Sequence, residues 1–362
     1  MAFSTIDKST SFQTQTLYTG NGSTQSITGV GFQSDMLWIK CRTALEDHCL
    51  SDSVRGDSPD TSGYYELRPN TTSASDSGSY NTLVSAIGAD GFSVGINDVV
   101  NTNTKLYIGW NWLMGTTTGI AGSPSITPTA YSFNQTSGFS VVSYTANNTA
   151  GATIPHGLGV VPDMAIFKCT SYAENWSVYH KNLTGGRDGL NQVFLNKTNA
   201  QSTTDNFYDT APTSTLFYMN NGGEVNESTR TYVAYFFASK KGYSKFGSYK
   251  GNGNADGPFV FTGFRPAFVM IKSSGGVETW NMWDNKRSTS GSNLTNMNLH
   301  PDSSAAENTA TAPGGQVIDI LSNGFKIRGT TTETNQSAYN MIYMAFAEFP
   351  FVSSNSKAGV AR

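Results

Sequence analysis

Charge is scarce in this chain. Of 362 residues, 14% are Asp, Glu, Lys or Arg, and the formal net charge is −3. A typical globular chain carries about a quarter. No basic stripe is present, so nucleic-acid binding lacks its electrostatic basis. Three cysteines are too few for a disulfide scaffold. The four histidines, His48, His156, His180 and His300, have no metal-ligand spacing and no Cys/His cluster beside them. No apolar run approaches the length of about 20 residues that spans a bilayer, and no segment of ten or more residues shows helical periodicity. The opening residues contain no signal-peptide core. The expectation is a protein made in a cytoplasm and not exported by the usual route. No Walker loop, nucleophile elbow or dinucleotide fingerprint appears, and no cofactor or metal is expected.

What is present is repetition. Tyr18-Thr-Gly-Asn-Gly22 returns as Tyr144-Thr-Ala-Asn-Asn148 and as Tyr249-Lys-Gly-Asn-Gly253. A glycine turn follows each copy, at Gly31-Phe32, Gly159-Val160 and Gly263-Phe264. Then comes an apolar strand: Asp35-Met-Leu-Trp-Ile-Lys-Cys41, Asp163-Met-Ala-Ile-Phe-Lys-Cys169 and Ala267-Phe-Val-Met-Ile-Lys-Ser273. Each unit closes on an aromatic strand, aligned on Tyr107, Tyr232 and Tyr343, and then on Trp110, Tyr235 and Phe346. A unit of about a hundred residues has the size of a domain and exceeds a solenoid module. Residues present in every copy therefore read as core.

The runs are short, rich in Val, Ile, Phe, Tyr and Trp, and punctuated by Asn, Gly, Asp and Ser. Asp90-Gly-Phe-Ser-Val-Gly95 and Asn323-Gly-Phe-Lys-Ile-Arg328 read as hairpins whose glycine supplies positive φ. The fold class expected is all-β, with three tandem homologous β-sandwich (jelly-roll-like) domains. The boundaries expected are a leader at 1–10, repeats at 11–114, 131–241 and 242–351, a Gly/Thr/Ser/Pro linker at 115–130 and a tail at 352–362. The short connection after the second repeat implies a more fixed orientation there than after the first. Cys41 and Cys49 are expected to face each other across a hairpin as free, half-buried thiols. Cys169 would likewise face Ser177.

Asp52, His180 and Asp284 correspond between copies, as do Arg55, Leu183 and Arg287. One polar residue at a strand end reads as a loop anchor, and an arginine as its brace. Carboxylate pairs for glycoside hydrolysis could be drawn from Asp52 with Asp57, Glu46 with Asp47, or Asp284 with Glu278. None lies in an aromatic-rich signature, and the chain is not expected to be an enzyme. Aromatics outside the repeated strands include Tyr64, Tyr65, Tyr80, Tyr172, Phe207 and Tyr208. Rings over a polar surface can stack on sugar faces. Tyr64, Tyr65, Arg68, Tyr172 and Trp176 are the ligand-binding candidates.

The runs Tyr18–Thr28 and Val30–Lys40, with His156–Met164, Asn175–Lys181, Thr210–Ser214, Gly242–Tyr249, Asp256–Pro266 and Leu321–Lys326, resemble a tandem repeat domain common in virion proteins of marine tailed bacteriophages. The resemblance covers nearly the whole chain. It implies a structural or tail-associated role on the virion surface, and it supplies no catalytic residues. Cys41 and Cys169 stand where a polar residue is usual. The implied protein is a tail-fibre, receptor-binding or capsid-decoration element that contacts other virion proteins and, in the adhesive form, host-surface glycan or envelope. It would be either a homotrimer or a pseudo-threefold monomer. The alternative is a tailspike-type glycan depolymerase.

Overall fold

A computed structural model describes residues 4–56, 63–75, 83–184, 191–203, 206–288, 293–309 and 314–350. Asp57, Tyr80 and the tail at 352–362 lie outside them. The chain is all-β. Its two α-helices among the described residues, Asp98–Asn101 and Thr332–Asn335, are four residues each.

The strands fall into three consecutive stretches; the first two each have a large sheet and a smaller one, and the third has two four-stranded sheets and a two-stranded one. In the first stretch the large sheet runs in the order Gln13–Thr19, Leu106–Trp112, Met36–Cys41, Cys49–Asp52, Glu66–Leu67. Its small sheet runs Gln25–Thr28, Gly91–Val94, Val84–Gly88. The first strand thus pairs with the last and the second with the seventh, the nested pairing of a jelly roll. The second and third stretches repeat the centre of this pattern. Phe139–Thr145, Thr231–Phe237, Met164–Cys169 and Ser177–His180 are neighbours in one; Ser244–Lys250, Asn340–Pro350, Phe264–Ser273 and Asn281–Asp284 are neighbours in the other.

The recurring phrases do the same work three times. The hydroxyls of Tyr18, Tyr144 and Tyr249 donate to Val100 O, Val225 O and Thr334 O at 2.7, 2.7 and 2.6 Å. The next residue each time is an asparagine, Asn101, Asn226 or Asn335. Its carboxamide oxygen accepts from the backbone N–H of Asn21, Asn147 or Asn252. Its amide donates to carbonyls of the same turn region, Ser23 O, Thr149 O and Asn254 O. A buried asparagine therefore satisfies the orphan groups of each first turn.

Alternation within the apolar strands splits the side chains between two cores. Leu37, Ile39 and Cys41 face the small sheet of their own stretch. Met36 and Trp38 face the opposite way, into a cluster shared with Met164 and Ile166 of the second stretch and Phe268 and Met270 of the third. The large sheets are thus buried on both faces, which is why these strands read as continuous apolar runs. All six tryptophans are buried and five lie in the shared cluster, making it the largest aromatic mass in the molecule. A void of about 10 Å³ lies in it, lined by Trp38, Trp112, Trp176, Tyr235, Phe268 and Met344 among others. That is room for about one water at most.

Several expectations are corrected. The segment expected as a linker, 115–130, is packed: Ile126 is buried in the second stretch's own core, Ile120 packs against it, and Ala130 already begins a strand. The leader is held by Ile6, which is 2% exposed in the shared cluster. Cys49 pairs with Ile39, not Cys41, and Ser177 pairs with Phe167, not Cys169. The turn is two residues longer than assumed. The three thiols are free and fully buried, not half-buried. In the third stretch Tyr249 pairs with Met341, as Tyr18 pairs with Tyr107 and Tyr144 with Tyr232. Phe268 pairs with Phe346, as Met36 pairs with Trp112. The true counterparts of Tyr107 and Trp110 are therefore Met341 and Met344, not Tyr343 and Phe346. A slip of two preserves the face each side chain takes, so alternation did not reveal it. Of the hairpin glycines, Gly91 has the expected positive φ (148°) and Gly324 does not, and both have a steric reason besides. Gly91 and Gly324 sit just after two-residue turns, and a Cβ there would stand 2.0 Å from Ile27 O and 2.1 Å from Val260 O on the adjacent strand.

Candidate functional site

Where one stretch meets the next, the chemistry of the repeated positions becomes visible. Lys40, Lys168 and Lys272 end the inward rows of their strands and are fully buried. Each ammonium donates to a backbone carbonyl of another stretch: Lys40 to Ser304 O (3.1 Å), Lys168 to Thr72 O (3.1 Å), Lys272 to Thr198 O (2.9 Å). Each also donates to a carbonyl of its own stretch, Cys41 O, Glu174 O and Glu278 O. Burial pushes all three pKa values down to about 8. The contacts run first to third, second to first, third to second, which is a closed ring.

The same direction governs the loop that follows. Trp176 donates its indole N–H to Arg68 O (3.2 Å) and Thr71 O (3.1 Å), and Trp280 donates to Phe194 O (2.8 Å). At the corresponding place in the first stretch, His48 bonds His300 O at 3.0 Å. Backbone amides complete the ring: Ser75 N–H to Thr170 O, Gln201 N–H to Ser274 O, Glu307 N–H to Arg42 O, at 2.9, 3.0 and 2.8 Å.

The seams differ at one cluster. Between the first and second stretches, the Tyr235 hydroxyl donates to Asp52 Oδ2 at 2.7 Å, and Arg55 Nε donates to the same oxygen at 2.7 Å. Between the first and third, Trp110 Nε1 donates to Asp284 Oδ2 at 3.2 Å, and Arg287 Nε donates to it at 2.6 Å. There Glu307 accepts from both Arg287 and Arg42 at 2.8 Å. Burial works against the two guanidinium charges of Arg55 and Arg287. The carboxylates more than offset it, so both pKa values end above the ordinary range. Between the second and third stretches the aromatic donor is replaced by Met344. The carboxylate is replaced by His180, whose Nε2 bonds Tyr343 O at 3.3 Å, and the arginine by Leu183. The loop-anchor expectation for Asp52 and Asp284 is met in part, since each accepts the backbone N–H of its arginine. Both carboxylates are closed to solvent, and neither was expected to span a seam.

The five ligand candidates separate. Trp176 is corrected: it is 0% exposed in the shared cluster and seated on the carbonyl of Arg68. A Trp in a polar loop is buried here because another stretch covers that loop. Arg68 is half-buried and paired with Asp47 and Glu66, both at 3.1 Å. Tyr64 packs against the first stretch's core, and Tyr65 is half-buried. Tyr172 is 56% exposed, with the Arg230 guanidinium 4.4 Å from its ring centre and Glu174 2.6 Å from that guanidinium. The three seam lysines were missed. The signal was available, since one charged residue recurs in three otherwise apolar strands.

Among the described residues no group of three or more His, Cys, Asp or Glu is placed to hold a metal ion. No helix among them is long and apolar enough to cross a membrane. These features define a class: an all-β protein whose three consecutive stretches of strands share one buried centre and are tied in a ring by buried polar groups. The chain belongs to the family described as a domain of unknown function (DUF7483), whose model matches residues 8–350. No curated protein and no solved structure matches it.

Proposed function

We propose that this chain is a non-enzymatic structural protein on the surface of a tailed-bacteriophage virion. In this reading its three tandem homologous β-sandwich domains close around a pseudo-threefold axis. The observation that carries it is the unidirectional ring of Lys40, Lys168 and Lys272, each reaching carbonyls of the neighbouring stretch. Contacts of that pattern are those of a heterologous, closing interface. A single chain thereby presents the outline of a trimer, which suits a threefold site on a capsid or tail. The residues repeated between stretches are occupied in holding turns and seams, which supports a scaffold over a reaction centre.

The resemblance to phage virion repeats supplies the location. Other virion proteins are the partners. Tyr172, exposed and braced by Arg230, is the residue of the five best placed to stack on a host glycan. Sedimentation should give the mass of one chain, 38.9 kDa. About three times that value would replace the closed monomer with a homotrimeric fibre. Electron microscopy of particles decorated with antibody to this chain should show it at capsid or tail; particles that bind no antibody would sink the virion reading.

A further inference from the structure

We propose that the ring carries an acid-operated catch: protonation of His48 and His180 releases the third stretch from both neighbours, while the seam between the first and second stays shut. The case rests on how the two imidazoles are held. His48 Nδ1 accepts the Trp38 indole N–H at 2.8 Å, so its proton sits on Nε2 and is donated across the seam to His300 O at 3.0 Å. His180 Nδ1 accepts the Asn182 backbone N–H at 3.1 Å, so its Nε2 proton is donated across the other seam to Tyr343 O at 3.3 Å. A second proton on either ring would put N–H against N–H, in a site closed to water.

The surrounding groups do not remove this conflict. His48 is faced by Lys40 of its own sheet and by His300 of the third stretch, both of which disfavour a further positive charge. Asp302 interacts with His300 and Lys272 and accepts from the Thr279 hydroxyl at 2.7 Å, and burial pushes its carboxyl up toward the neutral form. His180 is faced by Lys181 and by Asp163, and Asp163 is already engaged by the Lys181 ammonium at 3.0 Å and the Ser239 amide at 2.9 Å. Burial, with Lys40 added for His48, holds the closed-form pKa at about 3 for His48, and burial holds it at about 4 for His180. The carboxylates on the same seams, Asp284 and Glu307, are held by Arg287 and Arg42. The seam between the first and second stretches is closed by Asp52 with Tyr235, by Lys168 and by Trp176, with no histidine in it.

The sign follows from linkage. Once a seam opens, its histidine regains an ordinary pKa near 6.5 and takes up a proton. The open form is therefore favoured as pH falls from about 6.5 toward 4. At pH 5 each histidine weights it by about 30-fold, and the two together by about 1,000-fold.

Hydrogen exchange on the full chain tests this, comparing pH 7.5 with pH 5 after correction for intrinsic rates. The amides of Glu307 and Gln201 cross the two seams of the third stretch, and Ser75 crosses the remaining one. Protection at Glu307 and Gln201 should fall by a factor of about 100 to 1,000, with Ser75 unchanged. Equal or earlier loss at Ser75, or full protection of all three at pH 5, overturns the proposal. His156, locked in the same tautomer inside the second stretch by Leu158 N–H and Thr213 O, is the control. H156Q should behave as the wild type, whereas H48Q/H180Q should keep its seams shut at pH 5. If the double variant does not fold, the wild-type exchange pattern decides alone.

Discussion

The first stretch meets the second and third through buried Asp–Arg pairs, each capped by an aromatic donor; the second meets the third through His180, Leu183 and Met344. A buried ion pair is tolerated only when its remaining lone pairs find donors. Tyr235 and Trp110 provide one each. Met344 cannot donate, and at that seam the charge pair is absent and a neutral imidazole takes its place. The donor, the anion and the arginine thus change as a set, so they act as one unit in deciding which faces fit.

What the three seams share should give the largest effect. Lys40, Lys168 and Lys272 have pKa values pushed down to about 8 in the folded protein and near 10.4 when unfolded. Between these values the unfolded chain holds more protons, so stability rises with pH from about 8 to about 10, by at most about 1.4 kcal/mol per lysine per pH unit. Above about 10 the buried tyrosines, whose pKa values burial raises, reverse the trend. Guanidinium midpoints from pH 7.5 to 10 measure it; a flat or falling profile would contradict the lysine assignment.

Single breaks in the charged seams come next. Asp52→Ala strands the Arg55 guanidinium and should cost about 3–5 kcal/mol in equilibrium unfolding, whereas Asp284→Ala leaves Arg287 its second carboxylate, Glu307, and should cost less. A cost below about 1 kcal/mol would mean that the pairs are incidental. The sharper test moves one seam's chemistry to another. His180→Asp with Leu183→Arg buries a charge pair against Met344 and should cost about 2–4 kcal/mol. Adding Met344→Tyr should return about 1–2 kcal/mol, and strict additivity in that cycle would show that the positions are not a unit. Tyr235→Phe alone should cost about 1–2 kcal/mol by leaving Asp52 short of a donor. Tyr172→Ala should shift stability by less than about 0.5 kcal/mol while reducing any adhesion to host glycan. A stability loss at that exposed ring would remove it as a contact residue.

Much of the fold was legible. The short apolar runs gave the strands, and the three Tyr-x-x-Asn phrases mark turns that the structure builds in the same way. The correspondence of Asp52, His180 and Asp284 was also readable, because all three stand at the same register opposite Met36, Met164 and Phe268. Their roles were not, since the residues that complete them lie 163 to 183 positions away. Trp176 looked like a surface ring for the same reason: its neighbours in sequence are polar, and the carbonyls it meets belong to another stretch. Gly, Thr, Ser and Pro around Ile120 and Ile126 masked two residues with a core to fill.

The sequence by itself determined the short apolar runs, the threefold recurrence and the scarcity of charge, because each is local or countable along the chain. Tertiary structure alone decided what covers the second face of each large sheet and which polar group answers which across a seam. An apolar run reports that its side chains leave water; it does not report what replaces the water, and for a buried lysine or carboxylate that replacement sets both its charge and its role.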